Sequence, residues 1–314
     1  MLVRIDGRYS LKEKVGLGSY GEVYRASDLV YSHDIAVKIE PESIDPSVLK
    51  YKHHVLHQLD GITGIPRVHW FGYEARYNTL ILDCLGPSLE DVFNSCCRSF
   101  SLSTIALIAD QLICHLQHIH TRNFIHRDLK PRHVLIGIRN NTHIIYLIDF
   151  SLSKQYRDPN THIHVMPGHT TSFIGTPAFT SINSHLGLEL GRRNDLESLV
   201  YLLIYLVHGC LPWLDHEITT DNTVLNMKLN MDELCRDLPC KFHHMLDYLC
   251  SLAFHAKPDY DYLQALVQKL HPSSSKAEAA LLDWLPKIKS ETTVLHQLDE
   301  TRAASRSVET CLQL

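Results

Sequence analysis

Between residues 9 and 40 apolar and polar side chains alternate, with turn residues as punctuation, and this period of two predicts a β-meander. Residues 47–59 carry helical spacing, and the runs Val68–Tyr73 and Thr79–Cys84 read again as strands. Gly86-Pro87 then breaks the chain. Beyond it the period lengthens to that of a helix, most clearly over Ser88–Asn94, Ser103–His120 and Asp195–His208. A strand-rich first quarter, a short breaker and a helical remainder predict two segregated lobes, an α+β arrangement. The expected division is one folded domain over residues 1–286, with a small lobe at about 1–83, a connector at 83–87 and a larger lobe at about 88–286. From Lys287 to Leu314 the chain is polar, mixed in charge and without an apolar face, which predicts a frayed helix or flexible tail.

Composition narrows the function. At 45% hydrophobic and 21% charged residues the chain has the make-up of a soluble globular protein. A net charge of −5 gives no reason to expect nucleic-acid binding. No apolar run approaches the ~20 residues needed to span a bilayer, and the polar start MLVRIDGRYSLKEK lacks the core of a secretion signal. Nine cysteines at irregular positions, with no C-x-x-C pair, point to reduced thiols in the cytoplasm or nucleus. The 22 histidines invite a metal reading, but neighbours such as His53-His54 and His243-His244 would split across helix faces, so surface or satisfied imidazoles are the better expectation.

Chemistry enters with Gly16-Leu17-Gly18-Ser19-Tyr20-Gly21-Glu22-Val23, a complete G-x-G-x-x-G-x-V. Glycines at Gly16, Gly18 and Gly21 allow a close backbone approach, so amides can lie over triphosphate oxygens. An ordinary Gly-rich hairpin would look similar. Two features favour the phosphate reading: the loop lies between strands, and Ile35-Ala36-Val37-Lys38 follows in the next strand. Lys38 inside an apolar strand needs an anionic partner, which nucleotide phosphates supply. Downstream, His126-Arg127-Asp128-Leu129-Lys130-Pro131-Arg132-His133 resembles the protein-kinase catalytic loop, and Asp149-Phe150-Ser151 stands where a kinase carries D-F-G. The resemblance implies that Asp128 accepts or orients the proton of a substrate hydroxyl and Lys130 neutralises the transferring γ-phosphoryl. It implies a metal-binding role for Asp149 on Mg²⁺ at the phosphates.

Over residues 9–286 the chain resembles the casein kinase 1 family of Ser/Thr protein kinases. Ser181-Ile182-Asn183 takes the place of A-P-E, and Leu85-Gly86-Pro87-Ser88-Leu89-Glu90-Asp91 resembles that family's hinge and following helix. The segments Arg192-Arg193-Asn194-Asp195-Leu196-Glu197-Ser198 and Lys257-Pro258-Asp259-Tyr260-Asp261-Tyr262-Leu263 resemble its landmarks in the larger lobe. The resemblance implies an ATP pocket lined by Val23, Ala36 and Leu82, with Leu82 as gatekeeper and the backbone of Asp83 to Leu85 facing adenine. It also implies that Asp195 braces the catalytic loop from below.

Several positions depart from the family. The helix residue that pairs with the strand Lys is Lys52 where the family has Glu, and no carboxylate lies between Asp45 and Asp60, so repulsion between Lys52 and Lys38 is expected. The second metal ligand is His133, a nitrogen donor that would favour Mn²⁺ over Mg²⁺. Ser151 replaces the Gly of D-F-G and restricts the backbone. Gly175-Thr176-Pro177-Ala178-Phe179 stands for G-T-A-R-Y, so the Arg that reads a pre-phosphorylated substrate is Ala178, and the basic stretch after Leu211-Pro212-Trp213 is replaced by Asp215, Glu217 and Asp221. Three functions fit: a Ser/Thr kinase of reduced activity, a pseudokinase that binds nucleotide or scaffolds a partner, and a small-molecule kinase. The first is favoured because Lys38, Asp128, Lys130 and Asp149 are all retained. A monomer acting on a protein substrate or scaffold partner is expected. Cys311-Leu312-Gln313-Leu314 fits a prenylation box by Cys position and terminal Leu, but no polybasic segment precedes it and chance is the better reading.

Overall fold

A computed structural model describes residues 4–18, 21–44, 46–170, 173–214, 221–270 and 282–285. Six strands form one antiparallel sheet: β1 (Arg4–Ile5), β2 (Tyr9–Gly18), β3 (Gly21–Asp28), β4 (His33–Pro41), β5 (Val68–Glu74) and β6 (Tyr77–Asp83), in the order β1-β2-β3-β4-β6-β5. Alternation in β4 shows why the sheet forms. Ile35, Val37 and Ile39 face one way, into a small core with Ile5, Tyr9, Ala26 and Ile81. Adjacent Leu80 points the other way and joins a much larger core with Leu49, Val55 and Leu56 of helix α1 (Val48–Gln58). The sheet therefore divides two apolar clusters, and Lys38 emerges on the side of the larger one.

Helix α1 is placed by its ends and its face. Ser47 caps it by accepting from the Lys50 amide. Glu40, buried at the end of β4, accepts from the amides of Val48 and Leu49 at 3.1 Å each, from Asn78 at 3.3 Å and from the Ser47 hydroxyl. A carboxylate on the free amides of a helix N-terminus is favoured by charge and by hydrogen bonding. Toward its other face Tyr51 donates its hydroxyl to the Ser153 carbonyl at 2.6 Å.

The remainder is helical apart from short pairings. Helix α2 (Leu89–Ser95) starts at a capping box in which Ser88 and Asp91 satisfy each other's amides. Helix α3 (Leu102–Thr121) buries Ile105, Ile108, Leu112, Leu116 and Ile119, one stripe at helical spacing, and each such side chain contributes roughly 1.5–3 kcal/mol on leaving water. Two-residue strand β7 (Phe124–Ile125) follows, then the hairpin of β8 (Val134–Ile136) and β9 (Ile145–Leu147), and β10 (Lys154–Gln155), which pairs with β7. Short helix α4 (Ile182–His185) precedes α5 (Arg192–His208), which is apolar all round from Leu199 to Leu206 and runs through the core. Helices α6 (Asp221–Leu229), α7 (Met231–Leu234), α8 (Lys241–Ser251) and α9 (Tyr260–Gln268) complete the order, and α3 packs against α5 and α9. This is a β-rich N-terminal region and a helical C-terminal region, the expected α+β arrangement.

Helix α5 starts at Arg192, ahead of the Asp195 that periodicity indicates. Its first turn is polar but ordered: the Gly191 amide donates to Asn194 at 2.8 Å, and Arg192 to the His255 carbonyl at 2.8 Å. The segment from Lys287 to Leu314, with Cys311, lies outside the described residues.

Candidate active site

Register brings the small-lobe candidates together. Gly16 and Lys38 both pair with Val23, while Ala36 pairs with Leu82 and Lys38 with Leu80. Directly paired residues share a face, so Val23, Ala36, Lys38 and Leu82 line one side of the sheet. Gly18 pairs with Gly21 at the tip of the Gly-rich hairpin, and Ser19 and Tyr20 lie outside the described residues. A side chain at Gly21 would meet the Ile39 carbonyl at 2.1 Å, so the close approach of β3 to β4 requires glycine there. Asp83 turns its carboxylate away from the strand, to the Arg67 amide and His69 Nε2 at 2.8 Å each. Leu85 lies within the connector, where the Gly86 amide donates to the Ile136 carbonyl at 2.8 Å and ties this segment to β8.

Buried Asp195 organises the loop between β7 and β8. Its carboxylate accepts from the amides of His126 and Arg127 at 2.8 Å each and from His120 Nε2 at 2.8 Å, while Tyr260 reaches His120 Nδ1 at 2.6 Å. Burial works to raise the Asp195 carboxyl, but His120 and the amides hold it below its ordinary value. Arg127 takes a left-handed φ of 69° and donates to the Leu152 carbonyl at 2.6 Å. On this frame Asp128 presents both oxygens: Thr176 donates to Oδ1 at 2.7 Å, and Lys130 reaches Oδ2 at 3.1 Å and the Thr176 hydroxyl at 2.9 Å. Gly175 makes this contact with the activation segment possible, because at φ +96° a Cβ there would lie 2.7 Å from the Arg127 carbonyl.

Around Asp149 the expected opposition of Lys52 and Lys38 is present, with a partner for Lys52 that spacing did not indicate. Lys52 does not turn away from Lys38. Helix α1 lies inward, the Lys52 side chain is 7% exposed, and its Nζ sits 3.0 Å from Asp149 Oδ1. The same oxygen accepts from the Ser151 hydroxyl at 2.8 Å. Burial works to raise the Asp149 carboxyl, but Lys52, Lys38 and His133 hold it well below the usual carboxylate range. Lys38 is pushed down to about 8, first by burial and then by Lys52. Ser151 causes no backbone conflict: it lies in a 3-10 turn, Phe150–Leu152, and the left-handed φ of 64° falls on Asp149.

His133 sits between the two acids. Its Nδ1 donates to the Asp128 carbonyl at 2.9 Å, and its Nε2 lies 3.5 Å from Asp149 Oδ2. Burial pushes its pKa down to about 4, so near neutrality the imidazole is uncharged with Nε2 as an acceptor. These residues do not fit a divalent ion. One oxygen of Asp149 is committed to an ammonium and a hydroxyl, one nitrogen of His133 to a carbonyl, and among the described residues no three His, Cys, Asp or Glu group to hold a metal.

Two further features escaped the sequence reading. Thr176 could have been noticed from its place after Gly175, but its bond to Asp128 spans the fold. Lys228 in α6 carried no signal. It is fully buried and donates to the carbonyls of Pro177 at 2.9 Å and Thr180 at 2.6 Å, over the rings of Tyr201 and Trp213. Ala178, which replaces the expected Arg, packs half-buried against the large core, and its carbonyl accepts from the Trp213 indole at 3.0 Å. Asp215, Glu217 and the side chain of Asp221 lie outside the described residues.

An ordered sheet with a Gly-rich hairpin and an inward Lys, over a helical region whose loops present Asp128 and Asp149, is the arrangement of a phosphotransferase. A family model for the protein kinase domain matches residues 9–284, and the chain belongs to that family. Members of the family use ATP and a divalent metal, generally Mg²⁺. Among the described residues no helix is long and apolar enough to cross a membrane.

Proposed function

We propose that this chain is a Ser/Thr protein kinase of casein kinase 1 type with reduced phosphoryl transfer. Its main support is the Asp128–Lys130–Thr176 triangle, which holds an organised carboxylate against the segment that carries Thr176. In this reading ATP lies under the Gly16–Gly21 hairpin, with adenine against Val23, Ala36 and Leu82, at the backbone of Asp83 to Leu85. Lys38 binds its phosphates. Asp128 orients the acceptor hydroxyl and takes its proton, and Lys130 shields the charge on the transferring group. The domain covers residues 1–286, and the protein acts as a monomer in the cytoplasm or nucleus. Casein kinase 1 type is supported by Ser181-Ile182-Asn183 and by Arg192 to Ser198, where Glu197 accepts from the Ile182 amide at 2.7 Å.

The Lys52–Asp149 bond favours a second reading, a pseudokinase that keeps the nucleotide pocket and serves as a scaffold. Transfer of labelled γ-phosphate to casein by the wild type and by Asp128→Asn separates the two. A slow rate, below the ~1–100 s⁻¹ of ordinary kinases and lowered a further 10²–10⁴-fold in the variant, supports the kinase reading. Equal background from both proteins supports the scaffold.

A further inference from the structure

Asp149 carries its counter-charge within the protein. Lys52 Nζ lies 3.0 Å from its Oδ1, the Ser151 hydroxyl donates to the same oxygen, and Lys38 lies close enough for the two ammonium groups to oppose each other's charge. A buried cation, Lys52, and a half-buried one, Lys38, thus converge where members of the family place a metal. Mg²⁺ demands near-octahedral oxygen ligation and gives up water reluctantly, and a dication here would face both ammonium groups. The position that would complete the site holds His133, whose Nδ1 is bound to the Asp128 carbonyl and whose Nε2 offers a nitrogen where Mg²⁺ prefers oxygen.

We propose that this chain binds the nucleoside triphosphate without a divalent cation, the Lys52 ammonium and Lys38 together supplying the positive charge on its phosphates. The inference rests on the nucleotide-binding reading above. A lysine ammonium has three N–H donors, and Lys52 spends one on Asp149, which leaves two for phosphate oxygens. Two lysines match the charge of one divalent ion. Anionic phosphates also relieve the repulsion that helps push Lys38 down to about 8, so ligand binding and the pairing of these two lysines reinforce each other. Tyr51 and Glu40 hold α1 in place, so Lys52 cannot leave the site by rotation of its helix without breaking those contacts.

ATP affinity of the full-length chain, measured calorimetrically in EDTA, in Mg²⁺ and in Mn²⁺, tests this. The expected dissociation constant in EDTA is within about threefold of that in either metal, a difference of less than ~1 kcal/mol. Lys52→Met should weaken binding in EDTA by at least about tenfold, with its own thermal unfolding showing that it folds. Lys52→Arg keeps the charge and should retain most of the affinity. Lys52→Glu should bind ATP only when a metal is added. Binding by the wild type that appears only with Mg²⁺ or Mn²⁺ overturns the inference and leaves the nucleotide reading standing. Unchanged EDTA binding by Lys52→Met also overturns it. No binding under any condition refutes the nucleotide reading, and this inference with it.

Discussion

The double change Lys52→Glu with His133→Asn should convert a slow enzyme into a faster one. In the present arrangement Lys38 is held at about 8 instead of 10.5. At about 1.4 kcal/mol per pKa unit this is roughly 3 kcal/mol against its charged form. Burial is the larger cause, and the like charge of Lys52 is the second. Glu at position 52 removes that repulsion, replaces it with attraction and frees Asp149 Oδ1. Asn at 133 supplies an oxygen donor between Asp128 and Asp149. Recovering ~1.4 kcal/mol in the transition state raises turnover at least tenfold. The assay is γ-phosphate transfer to casein at saturating ATP and Mg²⁺, with Asp128→Asn in the repaired background as control, which should abolish the gain. A folded, ATP-bound double variant that stays as slow as the wild type refutes the reasoning, and so does a wild type that already turns over at ~1–100 s⁻¹.

Three other outcomes follow from particular contacts. Burial pushes Lys228 down to about 7, against 10.5 in the unfolded chain, with Glu197 opposing. Between those values the unfolded state binds a proton that the folded state does not, so stability should rise with pH there, relative to Lys228→Met. Urea unfolding at pH 7 and pH 9.5 checks this, and a wild-type advantage independent of pH would contradict it. Glu40→Ala strips the Val48, Leu49 and Asn78 donors of their acceptor and should cost about 2–4 kcal/mol, read as a lower melting temperature. Matched peptides with and without a phosphorylated residue upstream should be phosphorylated at similar rates, because Ala178 offers no guanidinium to the phosphate; a strong preference for the phosphorylated peptide would reveal another basic cluster.

Elements were legible where one face carries the whole apolar period. Ile35, Val37 and Ile39 locate β4, and the stripe from Ile105 to Ile119 locates α3. The two-residue strands β7 and β10 left no trace, since they are too short to show a period, and α6 to α9 were not resolved by spacing. Around Asp128 the order of motifs along the chain was enough to anticipate which residues meet. Lys52 was different. Its identity was legible and its conflict with Lys38 was anticipated, but not the partner that holds it, because Asp149 is remote in sequence and is brought to it by the packing of the turn Phe150–Leu152 against α1. Glu40 and Lys228 were missed for the same reason: much of what each satisfies is backbone, and backbone partners leave no residue signature.

In kinases whose helix carries a glutamate, the bond between helix and strand can be made or broken, and that reversibility gives regulators something to act on. Here the charge of the helix residue is inverted, and the bond has moved from the strand lysine to the acid after β9. Rotating the helix outward would part Lys52 from a half-buried carboxylate and break the Tyr51 contact, leaving Asp149 to Lys38, His133 and the Ser151 hydroxyl. The helix is therefore a strut, tied through Lys52 and Tyr51 to the segment after β9.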